Sequence, residues 1–462
     1  MSETNRSPEE QTLFRQKLEL LLLTGDEAVL SHVREIISLH HLTFRHFNEA
    51  ELTLPVQSSE LKRPSVVFIS QKENESLQDL SGHVDRLLTE FPKSSIITLL
   101  HDSSLKENLE GTANPRVFPL SQHEFFKTIK FESIVLAKSR SQFFAIQASD
   151  LFPMTSIDFT AFVQLTLNQR YLAVLFKKLV LTEERLERIS RAPGLLIPAT
   201  ESQEYHKYIA TYYDKSGASL KKRARSLFYA LTSSWLTLLD YLILDYKTFP
   251  TEEVKICFEN VRAAAKEIVE LLQAEENLWE TFKDASHNHI FKLWREPWIA
   301  IYAATISVKS GQGNPEETLI GGLFSSIGLI DLPAETFRKY IASGERDFST
   351  EEKKAFENVP MTSLNRSLAK NLPLSENEKS ILVTTQERFD GKGFPNQVPA
   401  EKIPVEASLI RFATLIDRGA RTTMEETNVG FRFLREKIWE AENQNTGNFD
   451  PTLLEKIANA LL

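Results

Sequence analysis

The chain has 462 residues, 42% of them hydrophobic and 25% charged, the balance of a soluble globular protein with more than one core. A formal net charge of −9 argues against broad nucleic-acid binding, which needs a basic footprint. Cys257 is the single cysteine, which excludes an intramolecular disulfide and points to a reducing, cytoplasmic compartment.

Residues 1–12 read as a disordered tail, polar and acidic, without the basic-then-apolar order of a signal peptide. Leu20 to Leu23 is wholly apolar, as expected of a strand buried on both faces. Val29 to Leu39 follows with helical spacing through Val33, Ile36 and Ile37. Val66 to Ile69 and Ile96 to Leu100 are further buried runs, and Val117 and Phe118 precede Pro119. The alternation predicts a doubly wound α/β domain over residues 13–135, with a parallel sheet. This segment resembles a response-regulator receiver domain of bacterial, two-component-like systems. Residues 20–27 sit where that family ends a strand in paired acids, 64–70 where a strand ends in the phosphorylated aspartate, and 118–121 where it has Lys-Pro. The matching positions hold Thr24 and Gly25, Ser70 and Phe118, and Asp26 alone survives. A serine is a poor substitute for a carboxylate nucleophile, and one acid is a weak magnesium site. The resemblance therefore implies a pseudo-receiver used for contacts.

Residues 140–215 are expected to form a small, β-rich α+β module. Phe159, Phe162, Val163, Leu165 and Leu167 are strand-like, as is Tyr171 to Phe176. Thr182 opens a short helix with Glu183 and Glu184 at its N-terminus, and Leu195 to Pro198 follows. Residues 216–285 read as a helical connector of two helices, Ser219 to Tyr246 and Glu252 to Ala285, broken by Pro250 and with Thr251 as a cap. Ser226 to Leu244 follows Lys221, Lys222, Arg223 and Arg225 and so mimics a membrane span, but Asp240 and the polar Thr232, Ser233 and Ser234 favour a buried or dimer-forming helix. Val254, Phe258, Val261, Ala265, Ile268, Leu272 and Trp279 make one stripe, suited either to packing or to a coiled coil. A homodimer is expected through these helices.

Glu-Arg-Phe-Asp-Gly-Lys-Gly-Phe-Pro at 387–395 is the most specific motif. Ile403-Pro404 and the apolar Ala407 to Ile416 follow it. The string resembles the loop that names the HD-GYP family of cyclic di-GMP phosphodiesterases, with Phe394 in place of tyrosine. Residues 323–333 have the frame of that family's His-Asp-Ile-Gly-Lys segment, Ser349 to Glu352 is a capping box where the family also begins a helix, and Val359-Pro360 falls on its His-Pro. The resemblance covers residues 287–430 and implies an all-α, HD-GYP-like helical bundle over 286–462. The family's hydrolysis uses iron or manganese ions held by imidazole and carboxylate groups. Carried over one by one, its ligand positions fall on Arg295, Ser325, Ser326, Val359, Thr385, Gln386 and Thr414, and the lysine after Ile-Gly falls on Leu329. All ten histidines lie at or before His289, and His287 and His289 read as surface or capping residues.

The expectation is a degenerate domain with no catalytic residue, metal or cofactor, in a non-catalytic signalling or scaffold protein. The candidate ligand- or partner-binding residues are Glu387, Arg388, Asp390, Gly391, Lys392, Gly393, Phe394 and Pro395. Three roles stay open for them. Arg388, Lys392 and Phe394 could hold a nucleotide, which makes the chain a cyclic di-GMP receptor that binds without hydrolysis. The loop could dock a protein partner, a diguanylate-cyclase-type domain among them. Or Arg388 and Asp390 could simply brace the loop by an ion pair.

Overall fold

A computed structural model of the chain describes residues 19–40, 42–47, 64–72, 75–101, 114, 116–140, 143–165, 170–192, 194–214, 216–243, 251–275, 278, 281–282, 295–427 and 431–461. The expected N-terminal tail, Leu167, Trp279, His287 and His289 lie outside the described residues.

Five strands, β1 (Leu20–Leu23), β2 (Phe44–Phe47), β3 (Val66–Ser70), β4 (Ser95–Leu100) and β5 (Val117–Ser121), form a parallel sheet in the order β2-β1-β3-β4-β5. That is the flavodoxin-like winding of the α/β class. Helix α1 (Glu27–His40) sets Val29, Val33 and Ile36 against the face carrying Leu20, Leu22, Val66 and Phe68. Helix α2 (Leu77–Glu90) sets Val84 and Leu87 against Leu21, Leu23, Val67 and Ile69 on the other. Burial on both faces is why these strands read as unbroken apolar runs. β2 is different. It is an edge strand of partly exposed residues, Phe-Arg-His-Phe, and carries no such run. Helices α3 (Gln122–Lys127) and α4 (Lys130–Arg140) complete the unit, and Ser121 and Glu124 form a capping box at the start of α3.

The middle region is β-rich. Strands β6 (Phe143–Ile146), β8 (Ala161–Leu165), β9 (Arg170–Leu175) and β11 (Leu195–Pro198) form an antiparallel sheet in the order β6-β11-β8-β9. β7 (Thr155–Ile157) pairs with β10 (Leu179–Leu181). Thr182 caps α5 (Glu183–Ser190), and α6 (Ser202–Thr211) closes the module.

The rest is helical: α7 (Gly217–Ile243), α8 (Thr251–Ala274), α9 (Glu296–Ser310), α10 (Pro315–Phe324), α11 (Ala334–Ser343), α12 (Thr350–Glu357), α13 (Val359–Ala369), α14 (Glu376–Thr384), α15 (Val405–Thr427), α16 (Phe431–Gln444) and α17 (Pro451–Leu461). Helix α8 ends at Ala274 and Glu275 interrupts the expected run to 285, of which Leu278, Thr281 and Phe282 are helical and the other residues lie outside the described ones. The stripe on α8 is spent inside the chain. Val254, Phe258, Val261, Ala265, Ile268 and Leu272 are all buried, with the Phe258 ring 5.8 Å from that of Phe324. Trp235 on α7 donates its indole N–H to the carbonyl of Leu323 at 3.1 Å. The two helices read as a connector therefore belong to the core of the helical body, and α8 packs against α7, α9 and α10. Among the described residues no helix is long and apolar enough to cross a membrane.

Candidate functional site

The signature loop joins α14 to α15. Glu387 is buried beneath it, and its two carboxylate oxygens accept the backbone N–H groups of Asn396 at 2.7 Å and Val398 at 3.3 Å. Arg388 donates through Nε and Nη2 to Asp390, at 3.0 and 2.7 Å. Asp390 also accepts the N–H of Lys392 at 3.1 Å. Gly391 has φ +70°, and Gly393 lies so close to the backbone of Glu387 and Arg388 that a Cβ would come within 2.3 Å of the Arg388 nitrogen. Phe394 turns inward onto Phe356, with ring centroids 5.7 Å apart, and Pro395 follows it through a cis peptide. Lys392 and Phe389, which is 40% exposed, lie on the outer surface of the loop together with Asp390, Asn396 and Gln397. The bracing role of Arg388 and Asp390 is thus present in the geometry, while the ring of Phe394 faces protein rather than a ligand.

The positions expected to match metal ligands fall into separate environments. Arg295 is ion-paired with the buried Asp417 and lies over the ring of Trp298 at 5.1 Å. Ser325 and Val359 meet at Ser363, whose hydroxyl accepts the N–H of Gly328 at 2.8 Å and lies 2.9 Å from the carbonyl of Ser325 and 3.0 Å from that of Val359, while Leu329, next in sequence to Gly328, is buried. Thr385 is buried, with its hydroxyl 3.4 Å from the carbonyl of Leu382. Gln386 and Thr414 line a cavity of about 330 Å³. Among the described residues no three His, Cys, Asp or Glu side chains stand together as metal ligands. Hydroxyl, amide, guanidinium and aliphatic groups do not fit the iron or manganese ions that the resemblance implied.

Residues 242–425 match the family model of the HD domain. The match begins in the last turn of α7 and ends in α15, so it takes in α8 and the signature loop. No curated protein matches the chain. Among solved structures, Bd1817, an HDG"Y"P protein from Bdellovibrio bacteriovorus, is similar at 16% identity and a TM-score of 0.44, over 69% of this chain and 98% of that one.

The cavity beside the HD-region loop is walled by residues that sequence reasoning passed over. Arg346 comes from the turn after α11, Arg411 and Arg418 from α15, and Glu442 from α16, and they face Arg388 of the loop. Arg411 and Arg418 are seven residues apart, so they share one helix face, and that spacing was the available signal. Arg411 donates to the carbonyl of Glu387 at 2.6 Å. Burial holds its guanidinium below the ordinary value. Glu345 and Glu442 oppose that shift, and Arg388 and Arg418 add to it. Gly344, at φ +71°, makes room for Arg418, whose Nη1 would lie 2.7 Å from a Cβ there.

In the N-terminal sheet, Thr24 and Ser70 do meet, with hydroxyl oxygens 2.7 Å apart and both buried. Asp26 is turned to local use, accepting the N–H groups of Ala28 at 2.8 Å and Val29 at 3.2 Å at the start of α1. Phe118 is buried under the ammonium of Lys138, 5.3 Å from its ring.

Proposed function

We propose that the chain is a non-catalytic signalling protein related to cyclic di-GMP phosphodiesterases, which works through contacts with a protein partner. The donor set in the HD region carries this reading. A hydrolytic centre needs two or more ions with a bound water between them, and the matching positions offer Arg295, Ser325, Ser326, Val359, Thr385, Gln386 and Thr414. Arg295 alone brings a fixed positive charge where a cation would have to sit, and it is already paired with Asp417.

The N-terminal unit reads in the same way, as a pseudo-receiver. On this reading the neutral Thr24–Ser70 hydroxyl pair would stand in for acid and phosphate acceptor, so a signal would reach it by contact rather than by phosphorylation. Exposed Phe389 and Lys392 on a braced loop suit docking, an apolar anchor beside a charge on a rigid support.

The full chain, supplied with cyclic di-GMP and either Mn²⁺ or Fe²⁺, is expected to release no linear product above the protein-free blank. Turnover that a chelator abolishes would sink the proposal. Replacing the exposed Phe389 and Lys392 by alanine is expected to abolish capture of the partner while leaving the unfolding midpoint close to that of the parent chain.

A further inference from the structure

We propose that the cavity between α11, α15, α16 and the signature loop is a binding site for a small phosphate monoester, held through its terminal phosphate by Arg346, Arg388, Arg411 and Arg418. The inference goes beyond the signalling reading and does not depend on it. Four guanidiniums face one space of about 330 Å³, at the lower end of the range of small-molecule pockets, roughly 300–1,000 Å³. Two carboxylates, Glu345 and Glu442, share the wall, so the lining itself keeps an excess of positive charge.

Gathering like charges in a partly buried space costs Coulomb energy that an anion would relieve. Burial is the main cause of the depression at Arg411, Glu345 and Glu442 oppose it, and Arg388 and Arg418 add a smaller part. The arginines are also held in place. Arg411 is anchored to the carbonyl of Glu387, and Arg388 is fixed by Asp390 through Nε and Nη2, which leaves Nη1 outside the pair. Arg346 is exposed at the mouth and makes no hydrogen bond or ion pair with the described residues. Planar guanidiniums bind phosphate oxygens two at a time. A monoester carries about −1.5 to −2 charges near neutral pH, more per phosphate than a diester, and so gains more from this wall. Gln386, Asn445 and Asn448 supply neutral donors beside the charges.

The test is calorimetry on the full chain in a phosphate-free buffer, with inorganic phosphate, GMP and cyclic di-GMP as probes. Inorganic phosphate and GMP should each fill one saturable site per chain, and cyclic di-GMP should bind more weakly than GMP. Arg346→Ala and Arg411→Lys should each raise the dissociation constant by about tenfold or more. Arg346 is exposed and unbonded, so its variant reports on binding rather than folding, and its unfolding midpoint should match the parent. The proposal is overturned by no saturable binding of phosphate or GMP, by an affinity unchanged in Arg346→Ala, or by tighter binding of cyclic di-GMP than of GMP.

Discussion

Gly391 and Gly393 stand two positions apart in one loop and differ in what a methyl group would meet. At Gly391 the space is open and the cost of alanine is the left-handed backbone at φ +70°, about 1 kcal/mol. At Gly393 the new Cβ would lie 2.3 Å from the Arg388 nitrogen and 2.4 Å from Glu387 Cα, both backbone atoms that cannot swing away. Gly393→Ala is therefore expected to cost about 3 kcal/mol, measured by denaturant unfolding, and equal losses at the two sites would contradict the loop geometry. The motif was legible because its residue types are dictated by this tight backbone. The roles of its side chains were less so. Phe394 looks like a stacking ring on paper but is drawn into the core by Phe356, and three of the cavity's four arginines lie far from the motif in sequence.

Glu267 on α8 offers a pH test at the same scale. His206, with Nε2 3.8 Å away, and the Arg223 guanidinium paired with it hold its carboxyl below the ordinary 4.5, against the opposing pull of burial. A depressed folded value gives stability that is present above 4.5 and lost as pH falls through the folded value. Glu267→Gln should thus be less stable than the parent at neutral pH, and the gap should close as pH drops below 4.5. A gap that stays constant across an acid series of urea melts would remove the ion pair from the account.

At the scale of elements, periodicity and caps carried most of the information. β1, β3, β4 and β5 were readable as buried runs. α5 and α12 were announced by Thr182 and by the Ser349–Glu352 capping box, whose reciprocal hydrogen bonds are 3.2 and 2.7 Å. What periodicity could not tell was the partner of an apolar face. The α8 stripe satisfies a coiled coil and a packed core equally, and only tertiary structure shows α10 lying against it. Phe258→Ala should cost about 3–5 kcal/mol, the usual loss for a fully buried phenyl ring. The parent's melting temperature should not vary with protein concentration through this face, as it would if the stripe joined two chains. A concentration-dependent midpoint that Phe258→Ala abolishes would restore the dimer reading.

Over the whole molecule, the residue with the widest reach is Asp331, in the segment framed by the resemblance as a lost catalytic motif. Lys130, on α4 of the N-terminal sheet domain, places its ammonium 2.6 Å from Glu124 and 3.2 Å from Asp331. Arg366 on α13 grips the same carboxylate at 2.7 and 2.8 Å. It also donates to the carbonyls of Leu242 and Ile243 at 2.8 and 3.2 Å, satisfying groups that the end of α7 leaves open. A backbone bridge between Thr128 and Pro333 runs alongside. One carboxylate therefore links the sheet domain, the end of α7 and the HD region. No sequence pattern marks it, because its partners lie 201 positions before it and 35 after it. Removing it leaves two largely buried cations without their shared anion. Asp331→Ala should lose about 2–3 kcal/mol, less than a fully buried pair because Asp331 is one-third exposed. The loss should also be local in a particular way. Amide exchange should quicken in α4 and α13, which the carboxylate joins, and stay unchanged in β3 and β4, whose packing does not involve it. If α4 exchanges as slowly in the variant as in the parent, apolar contacts alone hold the two regions together, and a contact-driven signal would have to cross by that surface instead.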